Sequence, residues 1–412
     1  MTAIESPAPV AAASERRSLD PLPSSAADTA SAPRFTVDGS AQLEEHLART
    51  CAKIGAGIRG LVPAAKLEAV LLGGGYGRGE GGVLRTPADD RPYNDLEFYI
   101  CIRGNRHLNE LRFGHALHVL GEILTPQAGI EVEFKITSLR ELAAAPVSMF
   151  SYDLVMGHRW LVGDESLLDD CDHHRATEDI PLAEATRLLM NRCTGLLFAR
   201  EKLEKREFTP ADADFVRRNI AKAELALGDA LLVTYLHYHW SARERLRQLP
   251  LLSRLEALPW MAQVRHRHAT GVAFKLHPER SDASRETLLD RHRDLVELSR
   301  HVFFWIEEHR LGTGFASPAD YALSTQNKCP EQSATRNVLI GTRALGLRPL
   351  LEARAGRHPR ERILNAMALL LWDPAALSTP RLRARLHRDL QTRGTTFPEI
   401  LAAYRNLWSR VN

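Results

Sequence analysis

The sequence predicts an α+β protein, with a small mixed-sheet region near the N-terminus followed by a larger all-α region. Three observations carry that expectation. Residues 130–136 alternate Ile, Glu, Val, Glu, Phe, Lys, Ile, a strict period of two that gives a strand one apolar face and one charged face. Two short apolar runs, Leu67–Leu72 and Leu96–Ile102, have the length and density of buried strands. From Leu182 onward the apolar spacing becomes helical and stays so, with no comparable strand.

Taken in order, residues 1–34 are rich in Ala, Ser and Pro and lack the basic start and apolar core of a secretory signal, so they read as a disordered tail. Ala41–Ile58 has helical spacing through Leu43, Leu47, Ile54 and Ile58. The strand Leu67–Leu72 stops at Gly73-Gly74-Gly75, and the polar, Pro-containing stretch Arg85–Pro92 reads as a loop. A helix over His107–Leu124 separates the strand Leu96–Ile102 from the alternating strand. Helices are then expected over Leu182–Lys205, Ala211–Leu249, Arg285–His309, Arg360–Trp372, Pro380–Gln391 and Pro398–Trp408. Acidic and His residues displace apolar ones between Cys171 and Ile180. The boundary is placed there, between a domain over 41–170 and a helical one over 180–412.

Composition narrows the class. The 412 residues exceed a single small module, and no apolar run approaches the roughly 18 residues that cross a bilayer, so no membrane span is expected. Five cysteines, an odd number with no Cys-x-x-Cys pair, support neither a zinc ribbon nor a disulfide framework and fit a reducing cytoplasm. A net charge of +3 is too weak to announce nucleic acid. Arg343–Arg393 carries eleven arginines against four acidic residues; it reads as a solvated helical surface and is the only hint toward RNA.

The chemistry is concentrated in two places. The run Gly73-Gly74-Gly75-Tyr76-Gly77-Arg78-Gly79 follows a strand, where glycines let a backbone approach a ligand closely and suit a phosphate. Asn94-Asp95-Leu96-Glu97-Phe98 then places two carboxylates at i and i+2 of a strand, both on one face, with Leu96 and Phe98 turned into a core on the other. Like charges held that close repel unless a cation lies between them. The strand bearing Glu131 and Glu133 supplies a third carboxylate if it lies alongside, and hard oxygen donors of this kind select Mg²⁺, with Mn²⁺ as a substitute.

In order and strand placement, Gly74-Gly75, Arg78-Gly79, Asp95-Leu96-Glu97 and Val132-Glu133-Phe134 resemble the signature of the DNA polymerase β-like nucleotidyltransferase superfamily, over about residues 41–170. The resemblance implies Gly74, Gly75 and Arg78 at the nucleotide phosphates, and Asp95, Glu97 and Glu133 as catalytic metal ligands, Glu133 serving as ligand or general base. Glu131 faces the same way, but the register of the family's third strand prefers Glu133. The implied reaction moves a nucleoside monophosphate from an NTP, ATP by expectation, to a hydroxyl, with two metal ions and release of pyrophosphate. A small-molecule acceptor is favoured over RNA or protein, and the helical region would hold it. Two departures stand out: Gly75 replaces a frequent Ser, and the interval from Arg78 to Asp95 implies an inserted turn over Arg85–Pro92. Asp153, Lys222, Asp229, Tyr238 and Arg245 are weaker candidates at the substrate side.

Competing readings fall away. Gly77-Arg78-Gly79-Glu80-Gly81-Gly82 matches the dinucleotide fingerprint formally, but no helix can follow it across Val83–Pro92. Neither a P-loop Gly-Lys-Ser/Thr nor a kinase His-Arg-Asp motif is present. The other class to weigh is a nucleotide sensor that has lost turnover, and three mutually repelling acids are hard to explain in such a module.

Overall fold

Ser40 starts the first helix, Ala41–Leu61, by accepting a hydrogen bond from Leu43 N, and the apolar stripe Leu43, Leu47, Ile54, Ile58 is buried against a sheet. The computed structural model describes residues 33–280, 283–347 and 355–411. The tail expected over residues 1–34 lies outside the described residues, apart from its last two.

The described residues form six strands: β1 Leu67–Leu72, β2 Gly82–Arg85, β3 Asp90–Tyr93, β4 Leu96–Ile102, β5 Val132–Thr137 and β6 Arg159–Val162. Four of them form a mixed sheet in the order β5-β4-β1-β6, with β1 antiparallel to β4 and β6, and β4 parallel to β5. The parallel pair needs a crossover, and the helix Arg106–Ala128 provides it. That helix starts at the cap Asn105 and ends at Gly129, whose φ of 75° closes the last turn.

The stretch Arg85–Pro92, expected as a loop, instead closes a hairpin in which β2 and β3 pair through Val83–Pro92 and Leu84–Arg91. Pro92 is compatible with that strand because the two-stranded sheet has free outer edges and Pro donates no hydrogen bond. The short strand β6 was not anticipated, since four residues are too few to display a period.

Alternation along β4 divides the sheet into two faces. Leu96, Phe98, Ile100 and Ile102 join Val70, Leu72 and the helices Ala41–Leu61 and Arg106–Ala128 in one core. Tyr99 and Cys101 join Ala69, Leu71, Leu154 and Val155 on the opposite face. Glu97 projects from that second face, two residues before Tyr99, as the alternation requires.

After residue 180 the described residues contain no strand. Ala183–Leu203 packs against Pro210–Thr234, and Met261–Leu276, Arg285–Leu311 and Arg360–Trp372 build outward around them over a third core. The expected helix Ala211–Leu249 is broken: it ends at Thr234, Leu236 adopts φ 62°, and a new helix starts at Ala242. No Gly or Pro marks that break in the sequence. Helices Met261–Leu276, Pro318–Leu323 and Ala334–Leu345 were also not anticipated. All five cysteines are free and buried, and no helix among the described residues is long and apolar enough to cross a membrane.

Candidate active site

The parallel register of β4 and β5 sets Glu97 directly beside Glu133 and Tyr99 beside Lys135. Asp95, one residue before β4, lies on the same face. Its position depends on Asn94, which takes φ 74° at the corner where β3 turns into β4. Asn is among the few non-glycine residues that tolerate this left-handed conformation. As a result Asp95, Glu97 and Glu133 each bring a carboxylate oxygen within 4.8 Å of the others. Glu131 precedes the strand and is exposed, so the geometry brings Glu133 rather than Glu131 to the cluster.

Burial raises the pKa of Asp95, and the charges of Glu97 and Glu133 raise it further, with Lys222 opposing from the helix Pro210–Thr234. The acids therefore repel one another in the ground state. Only part of that repulsion is relieved internally: the Lys135 ammonium stands 2.7 Å from Glu97 Oε1 and 3.2 Å from Glu133 Oε2. Burial alone would lower the pKa of Lys135, yet the hydrogen bond and charge of Glu97 hold it well above its ordinary value.

The glycine run lies against the same acids. Gly73 N–H donates to Glu97 O at 2.9 Å, and a Cβ placed on Gly74, whose φ is +62°, would come 2.9 Å from Glu97 Oε2. Gly74 and Gly75 open the single helical turn Gly74–Gly77, whose first N–H groups have no partner within the turn by geometry. Other glycines in the run are required by packing: a Cβ on Gly77 would lie 2.1 Å from Leu72 O, and one on Gly81 would strike the Tyr76 ring. Arg78 points elsewhere than the triad. Its guanidinium pairs with Asp153 at 3.0 Å and is nine-tenths buried, so its charge is already engaged within the protein.

Arg78 leads into a buried polar chain that ties the glycine turn to the later helices. Tyr238 O–H lies 3.2 Å from both Asp153 carboxylate oxygens, Arg245 donates to the Tyr238 hydroxyl, and Arg245 Nε lies 3.1 Å from Asp229 Oδ1. His268 Nε2 meets the same Asp229 oxygen at 3.0 Å. Asp153, Asp229, Tyr238 and Arg245, weak candidates from sequence, thus form one network behind the turn, while Lys222 faces the triad. Sequence reasoning missed Glu80, which is buried and accepts hydrogen bonds from Ser241 Oγ, Ala242 N (2.8 Å) and Arg243 N (3.2 Å) at the start of the helix Ala242–Gln248. It also missed Lys275. Burial, with Arg78 and Arg245 nearby, lowers that amine to about 8. Neither residue belongs to a local pattern, because their partners are remote in sequence.

The three carboxylates suit a hard divalent cation. Two oxygens bound on opposite sides of one Mg²⁺ lie about 4.2 Å apart, at roughly 2.1 Å from the metal each. The three oxygens lie within 4.8 Å of one another, and adjacent ligands of an octahedral ion stand only about 3.0 Å apart, so closing on one ion calls for side-chain rotation, which partly exposed side chains allow. The chain matches no family model, no curated protein and no solved structure, so the reading of this site rests on its own residues.

Proposed function

We propose that the chain is a Mg²⁺-dependent nucleotidyltransferase that moves a nucleoside monophosphate, AMP from ATP by preference, onto a hydroxyl of an acceptor, acting in the cytoplasm. The observation that supports this most directly is the convergence of Asp95, Glu97 and Glu133 within 4.8 Å, with the backbone of Gly74 against one of them. The sheet-bearing residues 41–170 act as the catalytic domain and the helices of 180–412 as the acceptor-holding one. Lys222, whose charge acts on Asp95 and Glu97, has no carboxylate within ion-pairing distance among the described residues, which favours an anionic donor such as a triphosphate. Mg²⁺, or Mn²⁺ in its place, supplies Lewis-acid stabilisation of the phosphates when bound by the three acids.

In this reading Gly74 and Gly75 allow the triphosphate to approach the backbone, and Lys222 stands over the same face of the triad. The acceptor hydroxyl attacks the α-phosphorus, a new O–P bond forms, and the bond to the β-phosphate breaks with pyrophosphate leaving. Glu133 takes the hydroxyl proton. The buried network from Arg78 to His268 keeps the glycine turn and the helical face in fixed relation.

The test uses ATP labelled at the α-phosphate, incubated with the full chain, Mg²⁺ and fractions of small molecules, RNA or protein from a cell extract. Label entering the small-molecule fraction with equimolar pyrophosphate, and lost with Asp95→Ala, is the expected result. Label entering RNA or protein instead would change the acceptor class. No Asp95-dependent transfer to any fraction, despite ATP binding, would replace the enzyme by a nucleotide sensor.

A further inference from the structure

The site already holds a cation of its own. Lys135 is two residues beyond Glu133 on β5, so alternation puts both side chains on one face, and the β4–β5 register delivers the amine to Glu97 across the strand pair. The ammonium is held from three sides: Glu97 Oε1 at 2.7 Å, Glu133 Oε2 at 3.2 Å, and the face of the Tyr99 ring at 5.6 Å from its centroid. Tyr99 is itself fixed, being buried and in contact with Phe150. Asp95 has no cation at ion-pairing distance among the described residues. One oxygen of Glu97 is thus committed to Lys135, and the other, Oε2, faces Gly74.

We infer that Lys135 supplies one of the three positive charges that balance the acidic triad, so that the site takes a single divalent ion, held by Asp95 with the remaining oxygens of Glu97 and Glu133. This rests on the nucleotidyltransferase reading of the triad and goes beyond it, because two metal ions are what the sequence resemblance implies. The electrostatics support a single ion. In the nucleotide-free site three carboxylates carry −3; one divalent ion and one ammonium sum to +3, whereas two divalent ions and the ammonium sum to +5 in the same small space. Lys135 is a positioning residue here: it bridges Glu97 and Glu133 and keeps both aimed, and no atom of the transferred group need touch it.

The experiment counts ions rather than turnover. Mn²⁺ is titrated into the full-length protein, free Mn²⁺ is followed by electron paramagnetic resonance, and wild type is compared with Lys135→Met, Lys135→Gln, Lys135→Arg and Asp95→Asn. The expected result is one Mn²⁺ per wild-type chain, lost with Asp95→Asn, two per chain in both neutral variants, and one in Lys135→Arg. Either neutral variant suffices should the other fail to fold. Two ions on wild type, or one ion on the neutral variants, would overturn the role of Lys135 while leaving the triad as a metal site. No Mn²⁺ that depends on Asp95 in any variant would overturn the triad reading itself, and the Lys135 proposal with it.

Discussion

Glu80 offers the sharpest test of how the glycine turn is held. Its carboxylate is buried and receives three donors from the first turn of the helix Ala242–Gln248, 161 to 163 residues away in sequence. Replacing it by Gln preserves volume and one acceptor oxygen but removes the charge and places an amide NH₂ where an acceptor stood. A conformer that keeps Oε1 on Ser241 and Arg243 leaves the Ala242 N–H facing a donor. An unsatisfied buried N–H costs about 1–3 kcal/mol, and the loss of charge assistance on the other two bonds adds to that. Glu80→Gln should therefore destabilise by about 2–4 kcal/mol at pH 7, read from urea unfolding.

The pH dependence gives an internal control. Burial pushes the Glu80 pKa up, but the Ser241, Ala242 and Arg243 hydrogen bonds outweigh it and leave the group below its ordinary 4.5. A carboxylate with a depressed folded pKa contributes stability that is fully present above the unfolded value and disappears as pH falls through the folded one. The gap between wild type and Glu80→Gln should thus be constant from pH 7 to about 5 and narrow below 4.5. A loss under 1 kcal/mol, or a gap that does not narrow in acid, would refute the view that this carboxylate ties turn to helix.

Three further outcomes are expected. Asp95→Asn removes an acid whose folded pKa is raised by burial and by Glu97 and Glu133, so ionised Asp95 opposes folding at neutral pH; the variant should melt slightly higher than wild type without metal, and Mg²⁺ should protect wild type alone in a thermal-shift assay. Asn94→Val puts a β-branched residue at φ 74° and should cost about 1–2 kcal/mol in urea unfolding, whereas Asn94→Gly should be nearly neutral. Asp229→Ala strands the buried guanidinium of Arg245 and should cost about 3–5 kcal/mol, with Asp229→Ala/Arg245→Met recovering a substantial part in a double-mutant cycle by chemical denaturation.

The strands that carry the acids were readable because their signals are local. The i, i+2 pair Asp95/Glu97 and the alternation through Glu133 fix which face each side chain takes, and burial of Leu96 and Phe98 on the opposite face agrees with that. Lys135 was in the same alternating run, yet its role depends on which strand lies alongside, and register between strands is not written in either one. Glu80 and Lys275 were illegible for the same reason, since they act on partners brought close only by folding. Strands β2, β3 and β6 are each four residues long, too short for a period to stand out. The arginine-rich stretch reads differently once folded: Arg357 pairs with Glu361 and Arg385 with Asp389, so part of that charge is internal structure.

β5 ends the sheet, with β4 on one side and no strand on the other among the described residues. The third acid and the ammonium beside it therefore ride on an edge strand tied to the sheet along one side, while Glu97 belongs to a strand paired on both sides. Fraying confined to residues 132–137 would scatter the trio without unfolding anything else. How long those few amides stay protected from exchange sets the lifetime of the assembled centre, and an occupant that bridges both strands would lengthen it.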